Sequence, residues 1–274
     1  MPGVADYHCH CDYSIDAEGT IEQYCEAARK RGLSEICFTT HYDTNPVGDL
    51  AAGTNVIRVD GTHLPATPQN MTPYVEHVRR VAEDFYPLGL SVKLGVEISW
   101  YEGCEEEADK LISAHDFDYV LGGIHELDNI CLCCRSTHEK LFASYGPEQL
   151  VEAYYRQMAA AARTGLFDSL AHSDYYLRYG RAYYGDAIKR AHLPFIDEFF
   201  RALIDSDTCL EVNTSGIRHG HSEYYPHMDI VNRARKAGVN IPFLGSDSHL
   251  PRQIGLDFEA AVAVVPPSLP GFED

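Results

Sequence analysis

Seven short apolar runs, rich in β-branched residues and each followed by a helical pattern, set the rhythm of this chain: residues 4–8, 36–40, 92–97, 119–124, 169–171, 209–213 and 242–245. Thr20-Ile-Glu-Gln23 reads as a capping box. It opens a helix with Ile21, Tyr24, Cys25 and Ala28 on one face, and Gly32 stops it. Pro147 opens a helix carrying Leu150, Tyr154 and Met158 and closed by Gly165. Pro194 opens another with Ile196, Phe199, Phe200 and Leu203, and Met228–Ala237 forms a third that ends at Gly238. Weaker helical patterns cover 74–86, 104–114 and 257–264. These apolar stripes are core faces.

Strands alternating with helices predict a parallel sheet with right-handed crossovers, and continuously apolar strands predict burial on both faces. Seven such units favour a (β/α)7 TIM-like barrel over an open sheet. Residues 43–72 lack clear periodicity and hold several Gly, Pro and Asn, which predicts a long lid or insertion.

The 274 residues are read as a single domain, 1–274, and a hydrophobic content of 45% is ample for a core. Lys and Arg number 22 against 41 Asp and Glu, a formal charge of −19. Such a surface repels polynucleotides and anionic membranes, so no nucleic-acid or membrane partner is expected, and a small molecule is the expected substrate. The N-terminus has neither the basic start nor the apolar run of a signal peptide, and no apolar stretch approaches the ~20 residues of a membrane span. Nine Cys, mostly within apolar or helical patterns, fit a reducing cytoplasm. For Cys131, Cys133 and Cys134, buried or loop thiols are a simpler reading than zinc, because no second C-x-x-C pair lies at finger spacing.

The chemistry lies at the ends of the runs. The first ends His8-Cys-His10, with two imidazoles at i and i+2 pointing to one side. The next end in His41, Glu97, His125 and His172, and the last ends Asp247-Ser-His249. One H-x-H is weak evidence, but repetition at six of seven strand ends is not, since the C-terminal ends of barrel strands share one cavity. Clustered imidazoles and carboxylates there are costly without a charge partner, which a divalent metal supplies. Asp16, in the loop after the first strand, is either a further ligand or a helix cap. Mixed His and carboxylate ligands suit zinc, manganese or iron, and nine candidates serve two or three ions. Glu97 is the candidate bridging carboxylate.

The motifs His8-x-His10, Ser14-x-Asp16, Thr40-His41, Gly95-Val-Glu97, Ile124-His125, Ala171-His172-Ser-Asp174 and Ser246-Asp247-x-His249 resemble the polymerase and histidinol phosphatase (PHP) family. Glu211-Val-Asn213-Thr-Ser-Gly-Ile-Arg218 is similar to its histidinol-phosphatase branch. The resemblance implies a distorted barrel, a trinuclear metal site and phosphoester hydrolysis. It implies one ion on His8, His10, Glu97 and Asp247, a second on Glu97, His125 and His172, and a third on Asp16, His41 and His249. It also implies Arg178 and Arg218 as phosphate-binding residues; Arg135, Arg181 and Arg252 are lesser candidates. Amidohydrolases also begin with H-x-H, but often use a carboxylated Lys at a mid-barrel strand end, whereas Lys93 here stands at the start of its strand.

The expected reaction is attack by a metal-activated water on the phosphorus of a monoester, with Glu97, Asp247, His249 and Asp16 as catalytic candidates. The branch implies L-histidinol phosphate, and hence histidine biosynthesis. Another small phosphate or a nucleotide, an oligonucleotide diester, and a non-catalytic metal-binding module are the alternatives.

Overall fold

The computed structural model describes residues 3–48 and 55–264. Seven parallel strands lie side by side in chain order: β1 (Ala5–Cys9), β2 (Glu35–Tyr42), β3 (Ser91–Ser99), β4 (Tyr119–Gly123), β5 (Ser169–Leu170), β6 (Cys209–Asn213) and β7 (Phe243–Gly245). Each falls on a predicted run. The sheet curls until its last strand meets its first: Asp247 N–H donates to the His8 carbonyl at 2.8 Å, and His10 N–H to that of Ser248 at 2.9 Å. The result is the predicted barrel, nearly closed.

The strands turn one set of side chains outward. Ile36, Phe38, Leu94, Val96, Leu170, Leu210, Val212 and Leu244 are buried in one large cluster with the helix stripes. The helix Ile21–Arg31 shows how the sequence fixes such a stripe. Thr20 and Gln23 form the predicted reciprocal cap, and Gly32 ends the helix at a φ of +76°, which a side chain disfavours. The helices Pro147–Arg163, Ile196–Asp205 and Met228–Ala237 supply the other predicted faces.

Two connections differ from expectation. Within 43–72, Val56–Val59 pairs antiparallel with Thr62–Pro65, and a helix already begins at Pro68, well before the predicted residue 74. The two-stranded hairpin is too short to show a period, and Pro68 and Pro73 mask the first turns of the helix; residues 49–54 of this stretch lie outside the described residues. After β4, a small hairpin pairs Glu126–Leu127 with Ile130–Cys131. Among the described residues no helix is long and apolar enough to cross a membrane.

One irregularity aims the first ligand candidates. β1 slips register against β2 between Asp6 and Cys9. Tyr7 therefore joins the barrel interior with Cys37, Tyr119, Leu121 and Phe243, while the next residue, His8, also turns to the centre. A bulge of this kind commonly re-aims a side chain beside an active site. Asp6 anchors the bend: its carboxylate accepts from the N–H groups of Ser246 at 2.9 Å and Gly255 at 2.8 Å.

Candidate metal centre

At the C-terminal mouth of the barrel the predicted residues converge on Glu97, which is fully buried. Its two carboxylate oxygens face different partners. Oε2 lies 3.4 Å from His8 Nε2, 3.5 Å from His10 Nε2 and 2.9 Å from His41 Nδ1. Oε1 lies 3.4 Å from His125 Nε2 and 3.1 Å from His172 Nε2. Asp247 Oδ1 stands 3.6 Å from His8 Nε2 and 3.5 Å from His10 Nε2, and these two nitrogens are 3.0 Å apart. Asp16 Oδ2, on a half-exposed side chain, is 3.2 Å from His249 Nε2 and 3.7 Å from His41 Nε2.

Ligand atoms held about 2.0–2.2 Å from one ion stand roughly 3.0–3.6 Å from one another. The contacts among His8, His10, Glu97 and Asp247 match those edges, as do those of Glu97 with His125 and His172. The group of Asp16, His41 and His249 is looser, and His41 also reaches Glu97 through its other nitrogen. Buried His172 Nδ1 has no hydrogen-bond partner, and the close pair Glu97 Oε2 and His41 Nδ1 lacks hydrogen-bond geometry. The donor set therefore fits divalent metal ions, and all nine predicted candidates lie in one cluster.

The electrostatics agree. Burial alone would push the Glu97 carboxyl up, but His8, His125 and His41 hold it well below the usual range. For Asp247 burial is likewise outweighed by His8, His10 and His249. Burial, with His41 and His249 beside it, keeps His10 low and neutral.

Outer partners set the ring orientations. Ser99 Oγ is 2.6 Å from His125 Nδ1, and His249 Nδ1 is 3.1 Å from the Asp247 carbonyl, so in each case Nε2 is left for the centre. His172 stacks on Tyr175 with ring centroids 4.2 Å apart. Sequence reasoning did not assign Ser99 or Tyr175 to the centre. It also gave no separate role to Glu211, a buried acid between Leu210 and Val212 whose placement in an apolar strand was the available signal. Gly123 is required by close approach, because a Cβ there would meet Glu97 Oε1 at 2.7 Å.

The centre forms the floor of a cavity of about 690 Å³. Arg178, Arg218 and Arg135 line it, whereas Arg181 and Arg252 are exposed and do not. Arg178 bonds the Tyr175 hydroxyl and sits over the rings of Tyr175 and Tyr179. Arg218 donates through Nη2 to the Asp247 carbonyl at 2.8 Å, while its buried Nη1 has no hydrogen-bond partner. Burial, then Arg178, lowers His219 to about 3, so this cavity-lining imidazole is neutral. Asp43, Glu126 and Tyr175 complete much of the wall; Tyr176 and Tyr225 belong to the core.

The cysteines correct one expectation. Cys131 and Cys134 are joined in a disulfide, with Cα atoms 5.5 Å apart, and Cys133 Sγ lies 3.3 Å from Cys131 Sγ. The chain turns directly after the hairpin that ends at Cys131, so the pair closes a local C-x-x-C turn on the cavity wall.

The family model for the PHP domain matches residues 6–215. The chain belongs to the PHP domain family. It is similar to a probable histidinol-phosphatase of Deinococcus radiodurans, 30% identical with 96% of this chain and 92% of the relative covered. It is also similar to a probable histidinol-phosphatase of Clostridium acetobutylicum, 31% identical with 94% and 91% covered. Among solved structures, the histidinol phosphate phosphatase of Lactococcus lactis, complexed with zinc, L-histidinol and phosphate, matches with a TM-score of 0.76, 21% identity, and 97% of this chain and 94% of that one covered. That likeness supports the PHP barrel as the fold.

Proposed function

We propose that this chain is a metal-dependent phosphomonoesterase whose substrate is L-histidinol phosphate, and that it works as one PHP-type unit in histidine biosynthesis in the cytoplasm. The observation that carries the reading is the meeting of two features in one cavity. Glu97 divides its oxygens between two groups of imidazoles, and Arg218 presents an unpartnered guanidinium nitrogen beside Asp247. The substrate assignment is supported by the names of the full-length relatives and by the ligands of the Lactococcus lactis enzyme.

His8, His10, Glu97 and Asp247 would hold one ion, and Glu97, His125 and His172 a second. Asp16, His41 and His249 would hold a third, with zinc, manganese or iron as the metals that suit these donors. Bound there, the ions supply a water acidic enough to act near neutral pH and positive charge for the phosphate oxygens. The chain supplies the rest. Arg178 and Arg218 receive the outer phosphate oxygens, and a planar guanidinium suits paired contacts with them. Tyr175 holds Arg178 on one side and stacks on His172 on the other, which fixes the phosphate cradle relative to the centre. The Asp16–His249 pair faces the cavity and, when no ion occupies the third site, is assigned the proton for the departing alcohol. Asp43 and Glu126 give the wall negative character that suits the cationic amine of histidinol phosphate.

The test is phosphate release by manganese- or zinc-loaded protein from L-histidinol phosphate, run beside other monoesters and one diester. Strong preference for histidinol phosphate is expected. Hydrolysis of other monoesters alone would remove the substrate assignment and keep the chemistry. No release from any ester by metal-loaded protein would remove both.

A further inference from the structure

Strand β6 contributes no candidate ligand, yet its Glu211 lies directly behind the centre and is only 1% exposed. Three donors surround its carboxylate. Oε1 is 2.7 Å from His8 Nδ1, and Oε2 accepts from the backbone N–H of His172 at 2.9 Å and from Asn213 Nδ2 at 3.1 Å. A carboxylate accepts from all three, whereas a glutamine at the same place would turn its NH2 toward a donor. The fold keeps room for this group: a Cβ on Gly245 would stand 1.9 Å from Glu211 Oε1.

The two histidines belong to different groups. With its proton held on Nδ1 by Glu211, His8 turns Nε2 to Glu97 Oε2 and Asp247. His172 faces Glu97 Oε1 and has a φ of +29°, a backbone conformation rarely adopted by L side chains. Its N–H bond to Glu211 helps hold it there. One carboxylate thus fixes the ring of one candidate ligand and the backbone of another.

We propose that Glu211 is a positioning residue that ties together the two ion sites flanking Glu97, so that they gain and lose metal affinity as a pair. The proposal rests on the metal-dependent reading of the centre. Ser99 provides the internal contrast, because its contact is with His125 Nδ1 and so reaches one site alone.

The experiment is equilibrium dialysis of the whole protein against graded free Co2+, with bound metal counted and the d–d absorption recorded, for wild type, Glu211→Gln and Ser99→Ala. Glu211→Gln is expected to weaken two ions together by about 10–100-fold, the usual cost of losing an outer partner. Ser99→Ala is expected to weaken one. At saturating metal, Glu211→Gln should lower kcat and leave KM nearly unchanged, because Glu211 acts through the ligands. If Glu211→Gln fails to fold, Asn213→Ala removes one of the three donors, keeps the carboxylate and should give a smaller paired loss. Wild-type affinity in the folded variants, or loss of a single ion, overturns the proposal. These titrations need no substrate. If wild-type protein hydrolysed no ester, the functional reading would fall and the metal counts would still decide the role of Glu211.

Discussion

Toward the N-terminal end of the barrel interior, Tyr7, Tyr119 and Phe243 meet with ring centroids 5.1, 4.6 and 4.9 Å apart, and Cys37, Leu121 and Ala171 pack with them. Further toward the C-terminal ends of the strands, His8, Glu97, His125 and Asp247 occupy inward positions and bury charge. The two layers share a backbone but not an energetic logic. The lower one removes apolar surface from water and stabilises the barrel. The upper one sets ionisable groups on that dry floor, where they are costly unless paired, and so creates a strong site for cations. On β1 stability and chemistry are one residue apart, Tyr7 and His8, and at β7 they lie at Phe243 and Asp247.

Changes to the two layers should accordingly have different signatures. Glu97→Ala removes the group facing His8, His10, His41, His125 and His172. It should abolish phosphate release and strip metal, exceeding the roughly 10–100-fold loss typical of an outer partner. Metal analysis with a phosphate assay checks it, and retained activity would dismantle the centre as assigned.

Phe243→Ala cuts the lower layer. It should cost about 3 kcal/mol and lower Tm by roughly 6–12 °C, with bound metal unchanged. Loss of metal in folded protein would show that the layers are coupled.

Arg218→Ala should keep the metals and raise KM for the phosphate ester by roughly 10–100-fold, the worth of a charge-assisted hydrogen bond. Steady-state kinetics and metal counting on the same sample separate this from a metal defect. Smallest is Tyr7→Phe. It deletes the hydroxyl 2.5 Å from Glu35 Oε1 and should cost about 1 kcal/mol in denaturant unfolding, with no change in metal or kcat.

Much of the barrel was legible because its signals are local. An apolar run followed by a capped apolar stripe specifies a strand and a helix within a few residues, as Thr20 to Gly32 shows. The candidate ligands were legible because ionisable residues ending successive buried strands are hard to explain otherwise. Arg135, Arg181 and Arg252 were not separable in this way, since a loop Arg carries no local mark of which way it faces. The hairpins after β2 and β4 were too short to show a period, so the placement of Glu126 and Cys131 on the cavity wall was hidden as well.

The sequence by itself determined the order of the strands, the family and the chemical types available at the barrel mouth, because period and residue chemistry are written locally. Tertiary structure decided what no local pattern encodes. Closure brought β7 to β1, a bulge turned both Tyr7 and His8 inward, and Glu211 met His8 across 203 residues of chain. A hydrogen bond between such distant residues depends on the whole barrel being closed in one register, and that register is set by the packing of all seven strands together.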